Sequence, residues 1–279
     1  MLSISSAASP GTSQRLALGF ITYHPDAGFY DRVALIADMG LPVFLFDNAP
    51  ATTDHRRLSV YEQRGLHYIT AGNNVGLGVD LSAVCASAYA HGCEYLLFFD
   101  QDTRFTAQTL RYAESLLDNQ MKQAKETHAA VVLQAPRGDS TDHRLVDTML
   151  AISSGSLFLL HNLARMGWHN PRYFVDGVDY EFCLRARARN LRIATCSGAP
   201  GFDHVTDQAD QDSEIFGRRI RLRRYPFWRV RDSLSAYLRL TVTSLARGDF
   251  RALGSVVRSL FIFILGQCLA RLLLRSRDR

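Results

Sequence analysis

The feature that most constrains the fold is a regular alternation of short apolar runs with amphipathic stretches between Leu16 and Gln134. Continuous apolar runs are typical of strands buried on both faces, and amphipathic stretches are typical of helices that cover a sheet. A chain that alternates strand and helix in this way forms a parallel sheet between layers of helix. We therefore predict an α/β fold with a mostly parallel central sheet. The predicted strands are LALGFIT, PVFLFDN, LHYITA, YLLFFD and AAVVLQA.

Polar residues follow several of these predicted strands directly. They are Asp47, Asn73, Asn74, Asp100 and Asp102. Each alone is also an ordinary turn residue, so a solvated turn is the simplest reading of any one of them. In parallel sheets, however, ligands bind beyond the carboxyl ends of the strands, and all of these residues fall at such ends. Their convergence predicts a ligand site at this edge of the sheet.

The second half of the chain has a mixed pattern. The segment VDYEFCLRARARNLRIATC reads as a helix running into a strand, and SGAPGFDHVTDQADQDSE reads as a loop. From about Ile220 onward the pattern is helical. We predict a flexible leader at residues 1–14, an α/β domain at 15–217 and a basic helical extension at 218–279.

Charge is divided unevenly between these parts. Residues 218–279 hold 15 arginines against three acidic residues, a net charge of +12, whereas the rest of the chain carries −7. A basic tail on an acidic body favours a polyanionic partner, either nucleic acid or an anionic membrane surface. The five cysteines form no C-x-x-C pair, which argues against a disulfide framework or a zinc site and favours a reducing, cytoplasmic compartment.

The apolar pattern of the extension decides between the two polyanions. Apolar residues between Leu253 and Leu272 follow helical spacing, and arginines accompany them. The longest uncharged run, residues 259–270, is shorter than the about 20 residues that cross a bilayer. This pattern predicts an interfacial helix on the cytoplasmic face of a membrane, and no nucleic-acid partner. The alternative is a terminal helix packed on the core or on a second copy in a homo-oligomer.

Asp-x-Asp at a strand end has two well-known uses. In haloacid dehalogenase phosphatases the strand ends in D-x-D-x-[TV], and a later lysine completes the site. Here Arg104 occupies the Thr or Val position, and the chain has only two lysines, both in a predicted helix. This departure makes a phosphatase the weaker interpretation.

The other use is in nucleotide-sugar-dependent glycosyltransferases, and the chain resembles the inverting family 2 enzymes in six segments that occur in the family's order. The segments are FITYHP, VFLFDNAP, NNVGLG, FFDQDT, SSGSLFLLH and FVDGVDYEFCLRAR. The resemblance covers about Leu16 to Val205 and is greatest to rhamnosyltransferases of surface polysaccharide synthesis. It implies a GT-A nucleotide-sugar-binding fold. It also implies transfer of a sugar, rhamnose in that subgroup, from a dTDP- or UDP-sugar to a hydroxyl of a glycan or lipid-linked glycan, with inversion.

The resemblance also implies roles for individual residues. Asp179 aligns with the catalytic base, and Asp176 and Glu181 lie on the acceptor side as its possible stand-ins. Asp102 and His204 would bind Mg²⁺ or Mn²⁺ against the diphosphate. The residues implied in donor binding are Thr22, Tyr23, Asp47, Asn74, Gly76, Asp100 and Asp102.

Some positions depart from the family or have a structural explanation. His24 stands where the family usually has Asn, and Val178 where it commonly has Glu. The structural alternative for Asp179 is a helix-capping carboxylate, whose negative charge the helix dipole stabilises at the start of a helix. Gly76 and Gly78 suit the turn itself, whatever ligand binds there.

Two other functional classes compete with glycosyl transfer. A glycosidase also uses two carboxylates, but they flank the scissile bond and need no base- or diphosphate-binding elements. The second rival is a catalytically silent, membrane-attached nucleotide-binding or scaffolding protein. The presence of Asp102 and Asp179 together counts against it.

Overall fold

The computed structural model describes residues 15–136, 144–203, 211–215 and 218–274, with the backbone alone for 211–215 and 218–221. The strands are β1 (Leu16–Thr22), β2 (Val43–Asp47), β3 (Leu66–Thr70), β4 (Tyr95–Asp100), β5 (His128–Gln134), β6 (Leu145–Thr148), β7 (Ser156–Leu159), β8 (Arg192–Ser197), β9 (Gln211–Ile215) and β10 (Arg218–Leu222). The helices are α1 (Ala27–Asp38), α2 (His55–Glu62), α3 (Leu77–Ala90), α4 (Ala107–Asn119), α5 (Met121–Ala124), α6 (Leu160–Met166), α7 (Val178–Ala188), α8 (Phe227–Ala246) and α9 (Phe250–Leu273).

The central sheet has eight strands in the order β3-β2-β1-β4-β7-β5-β8-β6. The first four strands are mutually parallel, so their carboxyl ends share one edge. β7 is antiparallel to both β4 and β5, and β6 is antiparallel to β8, while β5 and β8 are parallel. The predicted α/β class, with a mostly parallel central sheet and C-terminal helices, is confirmed. The antiparallel strands in the second half explain the mixed pattern of that region.

Both faces of the sheet are buried, which accounts for the continuous apolar runs in the sequence. Along β1, Leu16, Leu18 and Phe20 pack in a core with residues of α1, α2 and α4. Ala17 points to the opposite core, which contains residues of α3, α6, α7 and α8. The two cores share the sheet as their common wall, so the strand ends are held rigidly from both sides.

Two local predictions differ from the structure. The stretch TTDHRRLSVYEQRG predicts a helix with a threonine cap. The N-cap of α2 is instead Asp54, whose carboxylate accepts hydrogen bonds from the amides of Arg56 and Arg57. The segment SGAPGFDHVTDQADQDSE was predicted to be a loop, yet its last residues form β9, which pairs antiparallel with β10. The predicted boundary between residues 217 and 218 falls between the two strands of this hairpin.

The C-terminal helices α8 and α9 are attached to the α/β body on one side and exposed on the other. Ala252 and Val256 of α9 and Leu240 of α8 are buried in the core beside α7. By length and composition α9 could cross a membrane. The uncharged run at residues 259–270 alone was too short to predict this, because the helix continues beyond it in both directions. α9 is the one such helix in the described part of the chain, and one such helix is weak evidence for a span.

Candidate active site

The carboxyl ends of β1, β2 and β4 bring most of the predicted donor-binding residues to one edge of the sheet. Thr22 ends β1, Asp47 ends β2 and Asp100 ends β4. Thr22 and Asp47 are neighbours in the register of the two strands, and Ile21 is paired with Asp100. The convergence that the sequence predicts for this edge is therefore present in the fold.

Asp47 is fully buried, and protein groups engage both of its carboxylate oxygens. The Tyr68 hydroxyl donates to Oδ2 at 2.7 Å, and the Ala49 amide donates to Oδ1 at 2.9 Å. The Thr22 hydroxyl approaches Oδ1 at 3.4 Å. Burial and the bond to Asp47 raise the pKa of Tyr68 above its ordinary value. In this conformation Asp47 is an internal anchor for the strand ends, and its contact with a donor stays a prediction.

The residue between the two aspartates, Gln101, ties β1 to β4. Its side chain accepts a hydrogen bond from the Tyr23 amide at 2.7 Å and donates to the Tyr23 carbonyl at 3.0 Å. The guanidinium of Arg32 donates to the Gln101 carbonyl. Burial lowers the pKa of Arg32, while the nearby charges of Asp26 and Asp102 oppose that change. The Tyr23 ring itself is left 53% exposed at the rim of the site.

Asp100 and Asp179 form the acidic centre of the site. The side chain of Asp100 reaches the surface. The surrounding protein nevertheless displaces much of the water around its carboxylate. This desolvation, together with the charges of Asp179 and Asp102, raises the pKa of Asp100 to about 7. Burial likewise raises the pKa of Asp179 to about 6, against the effect of its hydrogen bonds with Ser153. Carboxylates with pKa values near neutrality are suited to exchange protons or to accept a cation at physiological pH.

Two serines that precede β7 form hydrogen bonds with Asp179 and Asp100. The Ser153 hydroxyl donates a short hydrogen bond to Asp179 Oδ1. The Ser154 hydroxyl accepts from the Asp100 amide at 3.0 Å and lies 2.8 Å from the Thr103 hydroxyl. The segment that resembles the family's acceptor-side strand thus links the start of α7 to the end of β4.

Asp176 is held by the C-terminal helix α8. The Ser233 hydroxyl donates to its Oδ2, and the Arg229 guanidinium lies 3.8 Å from the same oxygen. Asp232 accepts hydrogen bonds from the amides of Val175 and Asp176, at 3.2 and 3.1 Å. Burial raises the pKa of Asp176. No local pattern predicts that the extension reaches the acidic segment, because these hydrogen bonds join residues 56 or 57 positions apart along the chain.

Glu181 faces away from this carboxylate centre and into α7. Its two carboxylate oxygens accept hydrogen bonds from Nε and Nη2 of Arg185, at 2.9 and 3.2 Å. Arg185 also donates to the Met166 carbonyl. Such a bidentate pair in a nearly buried position leaves the carboxylate little capacity for a substrate. The structure therefore groups Asp179 with Asp100 and Asp102 and separates Glu181 from them.

The turn beneath the predicted donor site touches the same acidic segment. Gly76 has a φ of 91°, and a Cβ there would lie 2.5 Å from the Phe174 ring. A Cβ on Gly78 would lie 2.3 Å from the Asn170 carbonyl oxygen. Asn74 is exposed, and its side-chain oxygen accepts from the Gly76 amide at 3.0 Å. Both glycines are required by close packing, which is the structural reading of the motif.

A buried pair behind this turn was not anticipated from the sequence. The Asn48 side chain donates to Asp80 Oδ2 and accepts from the Val75 amide at 3.3 Å. Burial raises the pKa of Asp80 to about 6. Asn48 follows β2 directly, so its position at a strand end was the one available signal. The pair fixes the turn to the end of β2.

The predicted metal ligands are only partly within the described residues. Asp102 is exposed beside Asp100, whereas His204 lies outside the described part of the chain. The preceding residue, Asp203, exchanges two backbone hydrogen bonds of 3.0 Å with Arg104, two residues after Asp102. Among the described residues, no group of three or more His, Cys, Asp or Glu is arranged to hold a metal ion. The protein oxygens present fit a hard cation whose remaining ligands come from elsewhere.

Comparison with known proteins gives one sequence relative and a weaker structural likeness. No family model matches the chain. The chain is 22% identical over 233 residues to the dTDP-rhamnosyl transferase RfbF of Shigella flexneri, which covers 76% of each protein. A crystal structure of S. aureus TarS, residues 1–349, shares 14% identity with a TM-score of 0.49. That similarity covers 66% of this chain and 60% of TarS 1–349. The sequence similarity to RfbF confirms the relationship to glycosyltransferases of the rhamnosyl transferase kind that the motifs predict.

Proposed function

We propose that the protein transfers a sugar, rhamnose by analogy with its relative, from a nucleoside diphosphate donor to a hydroxyl of a glycan or lipid-linked glycan, with inversion. The observation that carries the proposal is the group of carboxylates at the end of β4 and the start of α7, where Asp179 and Asp100 have pKa values near neutrality. The similarity to a dTDP-rhamnosyl transferase supports dTDP-rhamnose as the first donor to test.

In this mechanism Asp179 is the general base. A sugar hydroxyl is a poor nucleophile at neutral pH, so a carboxylate within hydrogen-bond reach must accept its proton as the new bond forms. The short hydrogen bond from Ser153 fixes the orientation of Asp179. A pKa of about 6 leaves Asp179 mostly ionised at neutral pH while keeping its proton affinity above that of an ordinary aspartate.

Asp100 and Asp102 would face the diphosphate of the donor. The negative charges of these two carboxylates would repel the negatively charged diphosphate, and this repulsion is strong in a partly desolvated site. A divalent Mg²⁺ or Mn²⁺ held by Asp102, with His204 as the second predicted ligand, would neutralise the leaving diphosphate. The raised pKa of Asp100 is the observation that supports a place for positive charge here.

We further propose that the protein works at the cytoplasmic face of a membrane. The support is the basic charge of residues 218–279 and the exposed apolar side chains of α8 and α9. A lipid-linked acceptor would be within reach of an enzyme held at that surface. A catalytically silent scaffold remains the competing function.

A donor panel tests the proposal. The protein is incubated with dTDP-rhamnose and a set of UDP- and dTDP-sugars, with Mg²⁺, with Mn²⁺ or with a chelator, and nucleoside diphosphate release is measured. We expect release from a dTDP- or UDP-sugar. We also expect chelation or Asp102→Asn to weaken nucleoside diphosphate binding at least about tenfold, or roughly 1.4 kcal/mol. If no donor releases nucleoside diphosphate, with or without candidate acceptors, the result would favour the silent scaffold. If the chelator leaves the affinity for nucleoside diphosphate unchanged, the proposed role of the metal would be wrong.

A further inference from the structure

A second concave site lies away from the strand ends, between the turn that joins α7 to β8 and the turn that joins α8 to α9. It is a cavity of about 810 Å³. Arg187, Arg189, Arg192 and Arg247 line it, with Asp249 as the one carboxylate among the lining residues. Arg187 pairs with Asp249 at 3.5 Å, and Arg192 pairs with Asp147, which does not line the cavity, at 3.2 Å. The four guanidinium groups still outnumber these two carboxylates, and the excess positive charge favours an anion between them.

Part of this arginine content has a structural explanation. Arg187 and Arg189 lie at the end of α7, where cations interact favourably with the helix dipole and the last carbonyl groups. Arg187 Nη2 lies 3.5 Å from Asp249, and Arg189 Nη1 donates to the Arg165 carbonyl at 3.0 Å. These contacts engage one nitrogen of each side chain and leave the other donors available.

Two buried polar atoms at this cavity have no partner among the described residues. They are Nε of Arg187 and the hydroxyl oxygen of Ser244. Ser244 is only 2% exposed and lines the cavity. A buried donor without an acceptor is unfavourable, so these atoms indicate that an acceptor normally enters the cavity. Guanidinium groups together with a hydroxyl donor form a typical set for a phosphate group.

The surroundings of the cavity favour a phosphate carried by a lipid. Val242 and Leu245 of α8 and Phe250 at the start of α9 are exposed apolar side chains. None of the three lines the cavity, but they lie within two residues of Ser244 and Asp249, which do. A free phosphate ion would need no apolar surface beside its site, whereas a lipid headgroup brings acyl chains with it. Basic pockets beside apolar helices are a recurring way to bind anionic headgroups.

We propose that this cavity binds the phosphate of an anionic lipid headgroup. The inference rests on the membrane association that we propose for the protein, but its residues are separate from those of the donor site. Bound lipid would connect the α8–α9 turn to the α7–β8 turn and so fix the extension against the α/β body at the membrane surface.

The test compares two double variants of the full-length chain that lose the same charge. Arg189→Gln with Arg247→Gln removes two cavity arginines, and Arg251→Gln with Arg258→Gln removes two exposed arginines of α9. Binding is measured by flotation with phosphatidylcholine vesicles that contain phosphatidylglycerol, and with oleate-containing vesicles of equal surface charge. We expect the cavity pair to weaken binding to phosphatidylglycerol vesicles at least about tenfold more than the control pair, since charge-assisted hydrogen bonds are lost. On oleate vesicles the two pairs should behave alike.

Two further measurements decide the nature of the ligand. Ser244→Ala, which leaves the charge unchanged, should also weaken binding to phosphatidylglycerol vesicles and have no effect on oleate vesicles. Inorganic phosphate at the concentration of accessible lipid should fail to displace the protein. Full displacement would assign the cavity to a free phosphate ion and overturn the proposal, as would equal losses for the two double variants.

Melting curves and donor hydrolysis without vesicles separate this inference from the proposed function. Both double variants should melt with the wild-type protein and release nucleoside diphosphate at the wild-type rate. An active enzyme whose two double variants bind vesicles equally overturns the lipid site alone. A wild-type protein that is inactive, yet shows the difference in binding, contradicts the glycosyltransferase alone and supports the lipid site.

Discussion

At the scale of single residues, the site concentrates negative charge on Asp100, Asp102 and Asp179. Asp100 has its pKa raised to about 7 by the surrounding protein and by its neighbours Asp179 and Asp102. Ionised carboxylates in such positions destabilise the folded chain and are retained where function needs them. Their cost should appear in the pH dependence of stability.

The sign of that dependence follows from the raised pKa. Asp100 binds its proton more tightly in the folded chain, with a pKa of about 7, than in the unfolded chain, with a pKa of 3.8. Its contribution to stability is therefore fully present below the unfolded-state pKa of 3.8 and is lost as the pH rises from there through about 7. Asp100→Asn removes the charge, so we expect the variant to melt above the wild-type protein at pH 8, by a margin that shrinks steadily as the pH falls to 5 and further towards 3.8.

Melting curves in the absence of metal and donor check this expectation. Glu62→Gln, on the exposed surface of α2, is a control of similar chemistry and should run parallel to the wild-type protein. A constant difference between Asp100→Asn and wild type from pH 5 to pH 8 would contradict the raised pKa.

Single residues also mark the limit of what the sequence predicts. The strand-end positions of Asp47 and Asp100 follow from the apolar runs before them, because the carboxyl ends of parallel strands share an edge. The hydrogen bonds of Gln101 with Tyr23 join residues 78 positions apart, and no local pattern encodes such a contact. The same holds for Tyr68, whose hydroxyl occupies an oxygen of Asp47 that the motif alone would assign to a ligand.

At the scale of elements, the main finding is the contact between α8 and the segment before α7. Asp232 accepts from two backbone amides of that segment, and the Ser233 hydroxyl donates to Asp176. Asp179 lies three residues after Asp176, in the first turn of α7. The C-terminal extension therefore helps to position the segment that carries Asp176 and leads into α7.

We predict that Asp232→Ala impairs catalysis through this contact. Two amides lose their acceptor, at a cost of about 1–3 kcal/mol for each group left unsatisfied, and the segment that carries Asp176 is no longer fixed. Turnover should fall by roughly tenfold or more, with a lower melting temperature. Arg231→Gln, on the exposed side of the same helix, is the control and should retain both activity and stability. Full activity of Asp232→Ala would show that the contact does not position the site.

The elements themselves were predictable to different degrees. The five strands from β1 to β5 lie where the apolar runs place them, because strands buried on both faces have an unmistakable composition. The β9–β10 hairpin was missed: its strands, QDSEI and RRIRL, are rich in charged residues and resemble loop and helix more than strand. β7 enters the sheet antiparallel between β4 and β5, which depends on long-range pairing and not on local sequence.

At the scale of the whole molecule, the C-terminal helices present an apolar outer surface. Phe261 and Leu272 of α9 are 66% and 72% exposed. Exposed apolar side chains on adjacent helices mark a surface that contacts a membrane or another protein. Because Ala252 and Val256 of the same helix are buried in the core, deletion of α9 would test packing as well as binding.

Point substitutions on the outer surface avoid that ambiguity. We predict that Phe261→Gln with Leu272→Gln releases the protein from anionic vesicles while donor hydrolysis without vesicles is unchanged. Each lost apolar contact weakens insertion by roughly 1.5–3 kcal/mol. Val60→Gln, an exposed valine of α2 in the α/β body, is the matched control and should bind as the wild type does. If the wild-type protein does not bind vesicles and the double variant has a different oligomeric state, this surface contacts a second copy of the chain.

The central claim is that the carboxylate of Asp179 drives sugar transfer, and turnover of Asp179→Asn with the active donor tests it most directly. The amide keeps the size of the side chain and can still accept the hydrogen bond from Ser153, but it cannot take the proton of the acceptor hydroxyl. We predict that turnover falls by roughly 10²–10⁴-fold, with donor affinity unchanged, and that wild-type activity rises with pH through about 6. Wild-type turnover in Asp179→Asn, with activity lost instead in Asp176→Asn or Glu181→Gln, would contradict the account.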